Sequence, residues 1–408
     1  MRIAWFSIPA YGHTNPTIGV VKELISRGHE IYYYGFNQFQ DVIEGAGAHF
    51  ISCDEFDLGL EQESDMAERI GKDMVLSTQV IVNATLSMDE KLEKDMAKIK
   101  PDVIVADSVA YWGKHIAMKL GIPFVSSTTT FAFNKESAAI MKPSGKDLLR
   151  MLFDIPKTKK LLKPLRDKGY PAENILTIIQ NDNDTTTVVY TSKMFQPHAS
   201  SFSDKYTFVG AIPKDAKEIF NKTKDKLVYI ALGTVDNKHP DFYKNCIEAF
   251  RGTDYQVIMS VGKETDLSSF NDVPENVEIY AFVDQVAVLK EADVFLTHCG
   301  MNSASESLYF GVPLVLFPQT PEQGGVANRI EELGAGKKLT DTNPSSIKKC
   351  VEDVLFDSLY REKAQELGDS FKNCSGAVGA ADAIERAFRN KENNSYFAER
   401  EITLSSSS

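Results

Sequence analysis

The sequence predicts an α/β protein built from two Rossmann-like, doubly wound domains that face each other across a cleft. Three observations carry this prediction. Short apolar runs alternate with longer amphipathic segments, the pattern of a parallel sheet covered by helices. The pattern occurs twice, interrupted between about Gln196 and Lys226 by a polar stretch holding Gly210, Pro213 and several lysines. The chain has 408 residues, 43% of them hydrophobic, which is enough for two separate cores.

In the first series, Arg2–Ile8 reads as a strand. Thr14 or Asn15 caps the following helix, with Pro16 in its first turn, where a missing N–H costs nothing. Ile18, Val21, Leu24 and Ile25 share one face of that helix, Gly28 stops it, and Glu30–Tyr34 returns as a strand. Asp102–Ala106, Pro123–Ser126 and Thr187–Thr191 complete the first half. The second series runs Leu227–Leu232, Gln256–Ser260, Val277–Tyr280, Val294–Thr297 and Pro313–Phe317. The division expected is a domain over 1–212, a linker over 213–226 and a second domain over 227–375. A helix over 376–395 then packs back on the first domain, and a frayed tail covers 396–408.

The formal net charge of −12 argues against a nucleic-acid partner, whose phosphates need clustered Lys and Arg. Five cysteines, Cys53, Cys246, Cys299, Cys350 and Cys374, stand singly, with no metal-ligand spacing and an odd count. The amino terminus carries one basic residue and a short apolar run, and no stretch of roughly 18 apolar residues exists for a membrane span. These features predict a cytoplasmic protein without zinc; they leave the oligomeric state open.

The most informative segment is Thr297–Pro313, which follows the apolar run ADVFL. A strand, a small-residue turn at Gly300 and a helix carrying Asn302, Ser303 and Glu306 form a phosphate site, because first-turn N–H groups and the helix dipole both favour negative charge. His298, at the strand's end, places a ring N–H beside that site. Gly233 and Thr234 close the strand Leu227–Leu232 and offer a second backbone and hydroxyl contact. No Asp-x-Asp follows a strand in a loop suited to magnesium, so N–H donors must stabilise a leaving diphosphate directly. In the first half His13, in AYGHTNP beside Gly12, is placed to accept a proton, and Asp107, ending a strand of the same sheet, is placed to hold the other ring nitrogen.

The spacing His298-Cys299-Gly300, Asn302-Ser303, Glu306, Gly311-Val312-Pro313 and Glu322-Gln323 resembles the donor-binding box of family 1 glycosyltransferases, which have the GT-B architecture. Pro318–Gln323 and Leu333–Gly336 are similar to the form carried by bacterial macrolide and flavonoid glucosyltransferases, and the Gly12-His13 loop matches as well. The resemblance implies that His298, Asn302 and Ser303 contact the diphosphate and that Glu306 holds the ribose hydroxyls. It places Phe282, Val283 and Gln285 near the uridine, and Glu322 and Gln323 on the sugar, with glucose the implied sugar. His13 and Asp107 match the family's catalytic dyad. Phe282 and Met301 depart from the Trp of plant members, Asp284 from the usual Pro, and Ala231 from a common Ser.

The expected activity is inverting transfer of a sugar from a UDP-sugar to a small hydroxylated acceptor, with no metal cofactor. Phe131 and Phe133, together with Met141–Phe153, are the expected acceptor pocket for an apolar or aromatic aglycone. Alternatives of the same fold are a sugar-nucleotide epimerase, a lipid-acceptor transferase and a catalytically silent nucleotide-binding protein.

Overall fold

The computed structural model describes residues 1–56, 69, 73–141, 145–170, 172–175, 178, 184–233 and 239–389. The first sheet has seven strands: β1 (Arg2–Phe6), β2 (Glu30–Gly35), β3 (His49–Ser52), β4 (Val103–Asp107), β5 (Phe124–Thr128), β6 (Thr186–Val189) and β7 (Tyr206–Phe208). Their spatial order is β3-β2-β1-β4-β5-β6-β7. The second sheet has six: β8 (Lys226–Ala231), β9 (Tyr255–Ser260), β10 (Val277–Tyr280), β11 (Val294–Thr297), β12 (Leu314–Leu316) and β13 (Gly336–Lys338), in the order β10-β9-β8-β11-β12-β13. Every pairing is parallel. Central strands such as β4 and β11 are buried along their whole length, which is why they read as unbroken apolar runs. Strand order reverses between β1 and β4 in one sheet and between β8 and β11 in the other, so each domain has a switch point at the carboxyl ends of those strands.

The helix after β1 corrects the sequence reading. It spans Tyr11–Ser26 with Ala10 as N-cap, so Thr14 and Asn15 lie inside it and Pro16 falls in its second turn. Pro16 has no N–H to give the Gly12 carbonyl four residues back, and its ring crowds that carbonyl. Gly12 is helical and its side-chain position is open, so it is not a turn residue. What aims His13 is its place in the helix's first turn.

The polar stretch around 196–226 holds the short helical turn Ala199–Ser201 and β7 ahead of residue 213. At the other end of the chain, helix 376–389 lies on the first domain: Ala380, Ala381, Ala383 and Ile384 share a core cluster with Ile3, Trp5 and Val21. Arg27 Nη1 donates to Asp382 Oδ1 at 2.7 Å and His29 Nε2 lies 2.9 Å from Glu385 Oε1, fastening the edge of that contact. No described helix is long and apolar enough to cross a membrane.

Candidate active site

β1 and β4 run side by side, with Phe6 opposite Ala106, so the residues that leave their carboxyl ends emerge together. His13 Nδ1 lies 2.7 Å from Asp107 Oδ2, and Asp107 Oδ1 accepts from Val109 N at 2.9 Å. The Asp107 side chain is 2% exposed and that of His13 18%. A buried carboxylate on Nδ1 holds the proton there and leaves Nε2 as the basic nitrogen. Burial lowers the His13 pKa, but the charge and hydrogen bond of Asp107, aided by the charge of Glu322, outweigh it and leave the imidazole above its ordinary value.

The sequence did not reveal a third partner. Thr129 Oγ1 lies 3.0 Å from the same His13 Nδ1, and Thr129 is buried. The β4–β5 register, which pairs Asp107 with Ser127, puts Thr129 just past the strand's end and beside the dyad.

In the second domain Thr297 at the end of β11 pairs with Ala231 in β8, which brings His298 against Gly233. The ring is flanked by two glycines: a Cβ on Gly233 or on Gly300 would fall 2.5 Å from His298 Nε2. Gly233 also has φ +83°, a left-handed conformation open to glycine. Thr297 Oγ1, buried, sits 3.4 Å from His298 Nδ1 and sets the ring's orientation. Cys299 takes the left-handed turn, with φ 66°, and Gly300 at φ −58° is the N-cap of the helix Met301–Tyr309. No side chain caps that helix and no acidic residue lies in its first turn, so the N–H groups of Met301, Asn302 and Ser303 suit an anion.

Deeper in the same site, Gln285 Nε2 donates to Glu306 Oε2 at 2.6 Å and to Ser303 Oγ at 3.3 Å, while the Tyr229 hydroxyl donates to Gln285 Oε1 at 3.4 Å. Burial pushes the Glu306 carboxyl up; Gln285 and Lys214 pull it back, and Asp284 adds to the rise. Phe282 is 60% exposed, whereas Val283 packs against the domain core. Thr234 lies outside the described residues. A small cavity joins the domains here, lined by Asn15 and Pro16 of the first and by Lys214, Asn302, Ser305 and Glu306.

Glu322, in the first turn of the helix Pro321–Glu332, faces the cleft and interacts with both His13 and Asp107. Desolvation raises its carboxyl, His13 lowers it and Asp107 raises it. Gln323 closes a capping box: its Oε1 accepts from Gln319 N at 2.7 Å and Thr320 N at 3.2 Å, and its own N–H donates to Thr320 Oγ1. Among the described residues no group of three or more His, Cys, Asp or Glu side chains is arranged to hold a metal ion.

The acceptor reading fares differently for its two phenylalanines. Phe131 is 4% exposed and packs on Phe195 at 5.2 Å between centroids, with Phe195 in turn on Phe371 at 5.6 Å, so it belongs to an apolar joint between the domains instead of lining an open pocket. Phe133 is half-buried. Residues 142–144, and the side chains of 145–149, 151 and 152, lie outside the described residues, whereas Phe153 is 66% exposed.

Comparison with known proteins agrees with this geometry. The model of the erythromycin biosynthesis protein CIII-like C-terminal domain matches residues 245–375. The NDP-glycosyltransferase YjiC of Bacillus licheniformis is 34% identical over 395 residues, covering 94% of this chain and 97% of that protein. The oleandomycin glycosyltransferase of Streptomyces antibioticus is 26% identical, with 94% and 90% covered. The solved structure of the kitacinnamycin glycosyltransferase superposes with a TM-score of 0.82 at 26% identity, covering 95% of this chain and 98% of that one. With both switch points furnished in this way and a relative of that identity along nearly its whole length, the chain belongs to the family 1 glycosyltransferases of GT-B fold.

Proposed function

We propose that the protein transfers glucose from UDP-glucose, with inversion and without a metal, to a hydroxyl of a small apolar or aromatic acceptor. The observation that carries this reading is the imidazole–carboxylate pair of the first domain standing across the cleft from Glu322 and the bare helix start at Met301. His13 Nε2 takes the acceptor's proton as its oxygen attacks the anomeric carbon. The bond from that carbon to the diphosphate oxygen breaks, and the charge left on UDP is met by helix N–H groups and His298. One displacement at one carbon inverts it. Glu306, steadied by Gln285, suits paired ribose hydroxyls, and the face of Phe282 suits a flat base. Glu322 and the amide NH2 of Gln323 are the groups available to sugar hydroxyls.

The test is incubation with UDP-glucose and a panel of phenols, with and without EDTA, reading free UDP and addition of one hexosyl unit to the acceptor. Transfer is expected in both conditions. His13→Ala abolishes transfer and leaves UDP affinity unchanged. Undiminished transfer by that variant removes His13 as the base, and loss of activity with EDTA removes the metal-free reading.

A further inference from the structure

The helix that presents Glu322 to the cleft also grips the first domain farther along its length. Asn328 Nδ2 donates to the Ile140 carbonyl at 2.8 Å, and Asn328 Oδ1 accepts from Lys338 Nζ at 2.7 Å. Lys338 is itself held by Glu331 at 2.8 Å, so the amide has one orientation and only its NH2 end meets the first domain. On the next residue, Arg329 Nε and Nη2 donate to the carbonyls of Phe195 and Met194 at 3.0 and 2.8 Å.

Ile140 is buried and lies in the single helical turn Ser137–Met141. That turn ends a stretch which begins at Thr129, against the catalytic base. The stretch is stiffened at its start: Ala132 N donates to Gln196 Oε1 at 2.9 Å, Ser137 Oγ to the Ala132 carbonyl at 3.0 Å, and Ser137 N to Asn134 Oδ1 at 2.8 Å. At its far end the Ile140 carbonyl accepts from Asn328 in the other domain. One helix thus holds Glu322 at its first turn and, at its third, the far end of a wall that begins at Thr129 beside His13.

We propose that Asn328 is a positioning residue for the acceptor: its amide fixes the 131–141 stretch at the distance that the sugar-gripping helix sets. Asn328 touches neither substrate. The proposal rests on the transferase reading for the meaning of that wall, and its test has one arm that does not need turnover.

The experiment compares wild type, Asn328→Ala and Asn328→Asp by amide hydrogen exchange and by steady-state kinetics. Asp keeps an acceptor for Lys338 and removes the donor to Ile140. Both variants are expected to speed exchange in 131–141 and to leave helix 301–309 unchanged. Both should raise the acceptor KM about fivefold, the effect of one net hydrogen bond, with the UDP-glucose KM and kcat unmoved. Wild-type exchange and wild-type acceptor KM in Asn328→Asp would assign the residue to holding Lys338 alone and overturn the proposal. So would equal loss for donor and acceptor. Absence of transfer by the wild type overturns the transferase reading instead, and the exchange arm then still decides whether Asn328 holds the stretch.

Discussion

In the proposed transfer His13 is the base, and its strength is set by opposing neighbours. Burial and the positive end of its own helix disfavour the imidazolium, while Asp107 and, across the cleft, Glu322 favour it and prevail. The neutral ring is the active form, so activity falls as pH drops through the raised His13 pKa. Asp107→Asn removes the largest favourable charge. Its acid limb in kcat/KM should move to lower pH, and its plateau should fall about a hundredfold or more, as measured in a pH–rate series. An unmoved acid limb would show that another group titrates there. Both members of the dyad were legible in the sequence because each follows an apolar run that could only be a strand. Thr129 was not, since its place depends on which strands are neighbours and in what register. The packing of Phe131 was not legible for a related reason: apolar character says that a side chain seeks burial, not which of two interfaces buries it.

At the level of elements, the proposed donor site depends on close approach around one ring. Gly300 has an ordinary φ, so its requirement is spatial: any Cβ there meets His298 Nε2. Gly300→Ala must push the imidazole away from the start of the 301–309 helix. UDP affinity should fall about tenfold, by titration calorimetry, with the far-ultraviolet dichroism unchanged. Unaltered affinity would mean that His298 does not help to hold the diphosphate. The strand–turn–helix of this site was readable because helix start, small residues and apolar run coincide within one short stretch. Other elements were less so. β7 and β13 have only three residues each, too few to show a period, and β3 at the sheet edge is partly exposed along its length. The first helix was placed late because Pro16 and the polar Thr14-Asn15 pair imitate an N-terminus; the chain instead accepts a missing hydrogen bond at Gly12 and gains a helical setting for His13.

For the whole molecule, the two sheets are joined by more than one crossing. Phe131, Phe195 and Phe371 form an apolar joint, Asn328 and Arg329 add polar ties, and helix 376–389 returns to the first domain. Ile384 is fully buried in the first domain's core although it lies far beyond the second domain in sequence. Ile384→Ala should therefore lower the stability of the first domain by about 2–5 kcal/mol, read from urea unfolding followed by the fluorescence of Trp5 and Trp112, both of that domain. If those two tryptophans unfold at the wild-type midpoint, the returning helix is not part of that core.

That helix also dictates an order of events during synthesis. The first domain leaves the ribosome first but lacks one wall of its core until the final stretch of chain has emerged. The second domain, whose strands and helices are contiguous, has all its parts sooner. The last-made domain is thus the first that can be finished, and a chain cut short before residue 376 would carry a complete second domain beside an unsealed first one.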